Sequence, residues 1–204
     1  MADNHKVLHR SKPVRTRPRR ANLTGMIVLG AGLILVGLAT LMLWPSPEAV
    51  AGSPGSGAGL TIPVEVDYEA PELTLSDIDG NEHSLANYHG QVVLVNLWAT
   101  WCPPCKAEMP TLEAYYQAHQ ADGFVTIAVD DGDPAEAVVA FVQEYSLSFP
   151  VWLDPTYEAT DHAFKTRNLP SSFVIDREGK VRLRWVGEID HAALEKYVTP
   201  LILE

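Results

Sequence analysis

The 204-residue sequence contains two cysteines, Cys102 and Cys105, and their Cys-x-x-Cys spacing is its one arrangement suited to sulfur chemistry. A thiolate attacks disulfide sulfur, and two thiols three residues apart on a helix share a face, close enough to join in a small disulfide ring. Such a pair can accept two electrons or give them up. Two other uses of the pair are weaker. A tetrahedral zinc site needs two further ligands, and the chain has no second Cys-x-x-Cys and no paired His segment. A purely structural bridge would close a very short loop, which removes little entropy from the unfolded chain.

The elements that must hold the pair flank it. Residues 92–97, Val-Val-Leu-Val-Asn-Leu, are an apolar, β-branched run that predicts a buried central strand, and residues 106–119 have helix-forming composition. Cys102 then falls at a helix N-terminus, where unpaired backbone N–H groups and the positive dipole end favour a thiolate. Pro103 and Pro104 suit the first helical turn, where a missing N–H costs nothing. Pro110 lacks the N–H that would bond the Lys106 carbonyl, which predicts a kink. Glu108 lies three residues after Cys105 on the same helical face. Its spacing fits two readings: a solvated carboxylate favourable to the dipole, or a proton donor and acceptor for the Cys105 thiol.

The string Trp98-Ala-Thr-Trp-Cys-Pro-Pro-Cys-Lys-Ala-Glu-Met-Pro110, following a buried strand, resembles the thioredoxin-fold thiol-disulfide oxidoreductases. Within them it is most similar to the membrane-anchored TlpA/ResA/CcmG-like family, over roughly residues 70–197. The resemblance implies a thioredoxin-like α/β fold, with a mixed central sheet flanked by helices and an extra N-terminal hairpin, after one N-terminal transmembrane helix. It implies that Cys102 and Cys105 are a redox-active disulfide, that Glu108 is an active-site carboxylate, and that Trp101, Pro103 and Pro104 support the site. It also implies that Pro170, in Leu169-Pro-Ser-Ser-Phe-Val-Ile-Asp176, is cis and packs opposite the cysteines. On residue grounds alone, a proline opening a β-rich run marks a strand's first residue or a special turn. The family usually carries glycine two residues before this proline; here Asn168 stands there, and asparagine tolerates left-handed geometry best among non-glycines. No metal and no cofactor is expected. The partners implied are extracytoplasmic protein disulfides, with apocytochrome c and a copper-site assembly protein as candidates, and a membrane thiol transporter as electron donor.

Charge divides the chain sharply. Residues 1–20 carry seven Lys/Arg against one acid, Asp3, whereas the other 184 residues hold eight basic and 25 acidic side chains. An acidic body argues against nucleic-acid binding, which needs cations to meet phosphates. No charged residue occurs in residues 21–47, and the 22 residues 23–44 are nearly all apolar, enough for a hydrocarbon core that needs about 20. Residues 21–44 are therefore expected to be a transmembrane helix, with the basic tail 1–20 in the cytoplasm and the body outside, because Arg15, Arg17, Arg19 and Arg20 flank one side only. A cleaved signal peptide ending at Ala49-Val-Ala51 is the alternative, but such apolar regions run about 7 to 15 residues. Residues 45–63, rich in Gly, Ser and Pro, have linker composition, and residues 64–204 form the thioredoxin-like domain.

Within that domain, residues 64–70 predict an extended lead-in, and residues 72–75 and 82–84 two short strands around the turn Asp77-Ile-Asp-Gly80. His83 and His89 read as surface or turn residues rather than ligands. Residues 124–129 predict a second buried strand, followed by Asp133 as helix cap and Pro134 at the first position of a helix to about Tyr145. The acidic run 130–133 lacks the glutamate an EF-hand needs. A strand at 151–153, a short helix at 156–165, a turn at 177–180 into an alternating strand 181–186, and a closing helix 191–203 interrupted near Pro200 complete the domain. The order βα, βα, ββα fits one α/β unit.

Two other functions compete with disulfide exchange. A thiol peroxidase needs Pro-x-x-x-Thr/Ser-x-x-Cys, and Val95 and Ala99 occupy the Pro and Thr positions before Cys102. A copper-binding or assembly module without disulfide turnover finds no Met/His cluster in the sequence. For exchange, the direction is expected to be reductive. Pro103 and Pro104 remove two amide donors around Cys102, leaving the Cys105 N–H, and an ionised Glu108 would disfavour a thiolate further.

Overall fold

The computed structural model describes residues 62–204. The expected basic tail, the transmembrane helix and all but the last two linker residues lie outside the described residues; among the described residues no helix is long and apolar enough to cross a membrane. The strands are β1 (Val64–Glu69), β2 (Thr74–Asp77), β3 (Glu82–Ser84), β4 (Val92–Trp98), β5 (Phe124–Asp130), β6 (Val151–Leu153), β7 (Ser171–Ile175) and β8 (Lys180–Val186). The helices are α1 (Pro103–His119), α2 (Ala135–Tyr145), α3 (His191–Tyr197) and α4 (Thr199–Leu203).

The strands form one mixed sheet in the order β1-β8-β7-β4-β5-β6-β2-β3. β4, β5 and β6 run parallel, and the remaining neighbours pair antiparallel. β4 is central and buried at every position, as strands covered on both faces require. Its alternation splits the core in two. Val92, Leu94 and Trp98 pack with Met109, Leu112 and Tyr115 of α1, Val138 and Phe141 of α2, and Leu194 of α3. Val93, Val95 and Leu97 pack on the other face with Leu73, Leu85, Trp152, Phe164 and Phe173. Each such aliphatic or aromatic side chain stabilises the fold by about 1.5–3 kcal/mol through burial. The same parity turns Asn96, the one polar residue of β4, toward α1. This is the thioredoxin-like α/β arrangement, with the hairpin β2–β3 added beyond β6.

Several expectations are refined or corrected. The lead-in at 64–70 is a full edge strand whose side chains are mostly exposed, so it carries no alternation to betray it; its partner is the free edge of β8. The first hairpin strand begins at Thr74 rather than residue 72. Asp133 does not cap α2. Pro134, with φ −60° and ψ 136°, stands at the cap, which sets Asp133 one residue too far back, and its carboxylate turns to the Thr100 N–H instead. The helix expected at 156–165 is a single wide π-type stretch, Glu158–Ala163, whose first N–H groups, on Glu158 and Ala159, bond the two oxygens of Asp154 at 2.8 and 2.7 Å. Left-handed backbone occurs at Lys165, φ 51°, and not at Asn168, so the tolerance of asparagine is not used. The closing helix is interrupted as expected, with Pro200 in the first turn of α4.

Candidate active site

The site grows from the exit of β4. Cys102 is the N-cap of α1 in an extended conformation, φ −86° and ψ 110°, and Pro103 and Pro104 fill the first turn. The Cys102 N–H donates to the Ala99 carbonyl at 3.2 Å, and the Lys106 N–H to the Cys102 carbonyl at 3.1 Å, so the motif is a tight turn running into a helix. Cys102 and Cys105 are joined in a disulfide, their Cα atoms 5.3 Å apart. The Cys105 N–H points at Cys102 Sγ, 3.3 Å away. With prolines at the two intervening positions, this is the in-loop donor that remains to that sulfur.

Access is narrower than a helix start suggests. Cys105 has no exposed surface and Cys102 keeps only 3 %, while the neighbouring Trp101 is 66 % exposed. The order of exposure follows the expectation, but Cys102 in the disulfide is a buried atom with one small window. Pro103, Pro104 and Lys106 form the exposed surface around it.

Glu108, one turn below Cys105, is fully buried, which rules out the solvated-carboxylate reading. Its Oε1 accepts from Asn96 Nδ2 at 2.8 Å and its Oε2 from the Ile189 N–H at 2.9 Å. Asn96 Nδ2 also donates to Ser172 Oγ at 2.9 Å, so β4, α1 and β7 meet through one polar chain. Burial pushes Glu108 up to about 8; its two N–H donors pull the other way, and the charge of Glu188 pushes it further up. A carboxyl so placed exchanges a proton in the range where a thiol does.

The Leu169–Pro170 bond is cis. Pro170 is buried, and because Ser171 pairs with Leu97 it lies at the end of β7 beside the exit of β4, the end that carries the cysteines. Its carbonyl accepts the Gly187 N–H at 2.8 Å. The segment 187–189 is thus bonded to both Pro170 and Glu108.

The sequence did not show that four polar residues belong to this region: Asn96 and Ser172, and Asp130 and Asp133, which read as a strand end and a helix cap. A single asparagine inside an apolar strand was the one signal available, since its burial demands a partner. Ser172 and Asp133 depend on contacts across 76 and 33 residues, and Asp130 on the strand pairing that sets it beside Trp98. Among the described residues no group of three or more His, Cys, Asp or Glu side chains could hold a metal ion.

The AhpC/TSA family model matches residues 66–184. The thiol-disulfide oxidoreductase ResA of Geobacillus thermodenitrificans is 39% identical over 135 residues, 66% of this chain and 77% of that protein. ResA of Bacillus subtilis is 34% identical over 130 residues, 64% of this chain and 72% of that protein. A crystal structure from Chlorobium tepidum, described as a thiol:disulfide interchange protein DsbE, superposes with a TM-score of 0.63 at 28% identity, covering 68% of this chain and 99% of that one. With the motif, the fold and these likenesses in agreement, the chain belongs to the AhpC/TSA family and is a thioredoxin-fold thiol-disulfide oxidoreductase of the ResA and DsbE type.

Proposed function

We propose that the protein is tethered to the cell membrane by residues 21–44, with its N-terminus in the cytoplasm and its domain outside, and that it reduces disulfides of extracytoplasmic proteins. The observation that carries the chemistry is the Cys102–Cys105 disulfide at the start of α1, with one cysteine wholly enclosed and the other at a window beside Trp101. In the reduced protein the Cys102 thiolate attacks a partner disulfide, forming a mixed disulfide and expelling one partner thiolate. Cys105 then loses its proton and attacks Cys102 Sγ, which releases the second partner thiolate and closes the internal disulfide. Two electrons pass to the partner, and its two thiolates take up protons. Glu108 serves as the proton acceptor and donor for Cys105, and Pro170 covers the sulfurs from the β7 side. Trp101, Pro103 and Pro104 shape the surface that meets the partner.

A membrane thiol transporter restores the dithiol from the cytoplasmic side. Apocytochrome c and a copper-site assembly protein are the partners the family resemblance suggests. The reductive direction is supported by the single amide donor to Cys102 Sγ and by the carboxyl beneath Cys105.

Trapping partners on a Cys105→Ala variant tests the reading directly. Mixed disulfides through Cys102 are expected with Cys105→Ala and none with Cys102→Ala; the opposite pattern would reverse the roles. Equilibration with glutathione or dithiothreitol buffers is expected to give a reduction potential below roughly −150 mV, away from the oxidant end of the scale. A membrane-impermeant thiol reagent is expected to label reduced Cys102 in intact cells. Labelling only after lysis would overturn the topology.

A further inference from the structure

We propose that Asp130 and Asp133 form a carboxyl pair that positions the Thr100–Cys102 segment and disfavours the Cys102 thiolate by like charge. Asp130 ends β5 directly beside Trp98 of β4, the last strand residue before the cysteine motif. It is fully buried, and its Oδ1 accepts the Asp133 N–H at 2.8 Å. Its Oδ2 is buried with no donor facing it. A buried anionic oxygen without a donor is costly, and a proton on Asp130 removes that cost.

Electrostatics agrees with this division of one proton between two acids. Burial pushes Asp130 up to about 8; the Asp133 N–H opposes the shift, while the Asp133 charge and its side chain, as acceptor, reinforce it. Asp133 Oδ2 accepts the Thr100 N–H at 2.6 Å, a short, charge-assisted bond across 33 residues of sequence. Thr100 stands two residues before Cys102, so their Cα atoms are at most about 7.6 Å apart.

Among the described residues neither Asp130 nor Asp133 forms an ion pair, and Lys106, the cation of the motif, is exposed. Asp131, in the same loop, accepts the Thr160 hydroxyl at 2.8 Å, and Asp154 is occupied by the N–H groups of Glu158 and Ala159. Asp161 is the acid that meets a cation, Arg167, at 3.0 Å. The Cys102 thiolate therefore forms against a fixed negative charge, which holds its proton more tightly and shifts the dithiol–disulfide balance toward reduction of partners. This rests on Cys102 being the attacking thiol.

The test uses the full chain in its reduced form, with iodoacetamide alkylation followed against pH and the labelled cysteine identified by peptide mass. Asp133→Asn keeps an acceptor for the Thr100 N–H and removes the charge. The Cys102 pKa is expected to fall by about half a unit to one unit, with a reduction potential that rises in step. Asp133→Glu, which keeps the charge, is expected to stay near the parent value. Should Asp133→Asn fail to fold, Asp133→Ser removes the same charge and is held to the same outcome. Cys102 labelling with an unchanged pKa in the neutral variants overturns this inference alone, whereas first labelling at Cys105 in the parent protein overturns the nucleophile assignment and this inference together.

Discussion

Glu108 and Asp130 are both withdrawn from water beside the same cysteine motif, yet they are held in opposite ways. Glu108 receives two N–H donors, from Asn96 and Ile189, one on each oxygen. Asp130 receives one, from the Asp133 N–H, its other oxygen faces no donor, and the Asp133 charge adds to its shift. Both are raised to about 8, and in both burial is the leading cause. The difference teaches that similar proton affinities can arise from unlike surroundings. One acid is enclosed by groups that need it as an acceptor, the other by a group that repels its charge.

Truncation should separate the two most strongly. Glu108→Ala leaves the Ile189 N–H without a partner, removes one acceptor from Asn96 Nδ2 and opens a cavity under Cys105, and it is expected to cost about 2–5 kcal/mol in urea unfolding. Asp130→Ala orphans one N–H but removes the acid from a repulsive setting, and about 1–2 kcal/mol is expected. An equal or larger loss for Asp130→Ala would break the comparison.

The pH dependence of stability sharpens it. For both groups the folded-state value, about 8, stands above the ordinary 4.5 of Glu108 and 3.8 of Asp130, so the folded protein binds their protons more tightly than the unfolded chain. Their contribution is complete below the ordinary values, declines as pH rises, and is lost once pH passes about 8. Unfolding free energies from urea titrations are expected to fall across that window, by an amount on the order of a few kcal/mol. Glu108→Gln should remove one share of the slope and Asp130→Asn the other. A slope untouched by either variant would show that neither carboxyl governs it.

The last effect is confined to one side. Gly132, between the two aspartates, has φ +91°, and a Cβ there would meet the Tyr157 ring at 2.7 Å. Gly132→Ala is expected to destabilise by about 1–3 kcal/mol and to speed hydrogen exchange at the Thr100 amide, while leaving the Ile189 amide protected. Equal exchange at both would mean that the two regions are not independent.

Much of the site was legible in the sequence. The strand, the motif, the prolines and the helix lie within one continuous stretch, where apolar runs and spacing speak directly. Pro170 was legible through the family resemblance, since proline before a β-run has several local meanings. Glu108 was half legible: its spacing fixed its helical face but not its burial, which depends on the segment at Ile189 arriving 81 residues later. Asp133 was misread because local capping chemistry competes with a distant N–H, and a strong distant donor won. β1 was read only as an extended segment because an exposed edge strand has no apolar face to pattern.

The register of that edge strand has a consequence for reach. Val64 pairs with Arg184, Arg184 with Phe173, and Phe173 with Val95, so the start of β1 lies three strands from β4, about 14 Å at the usual spacing. β1 runs opposite to β4, and the chain therefore enters the fold from the end at which β4 delivers the cysteines. Under the proposed tether, residues 45–63 act as a leash of no more than about 65 Å when fully drawn out. Fastened toward the working end, such a leash would let the sulfurs travel from the anchor by its own length plus that short offset across the sheet, rather than by its length plus the full depth of the domain.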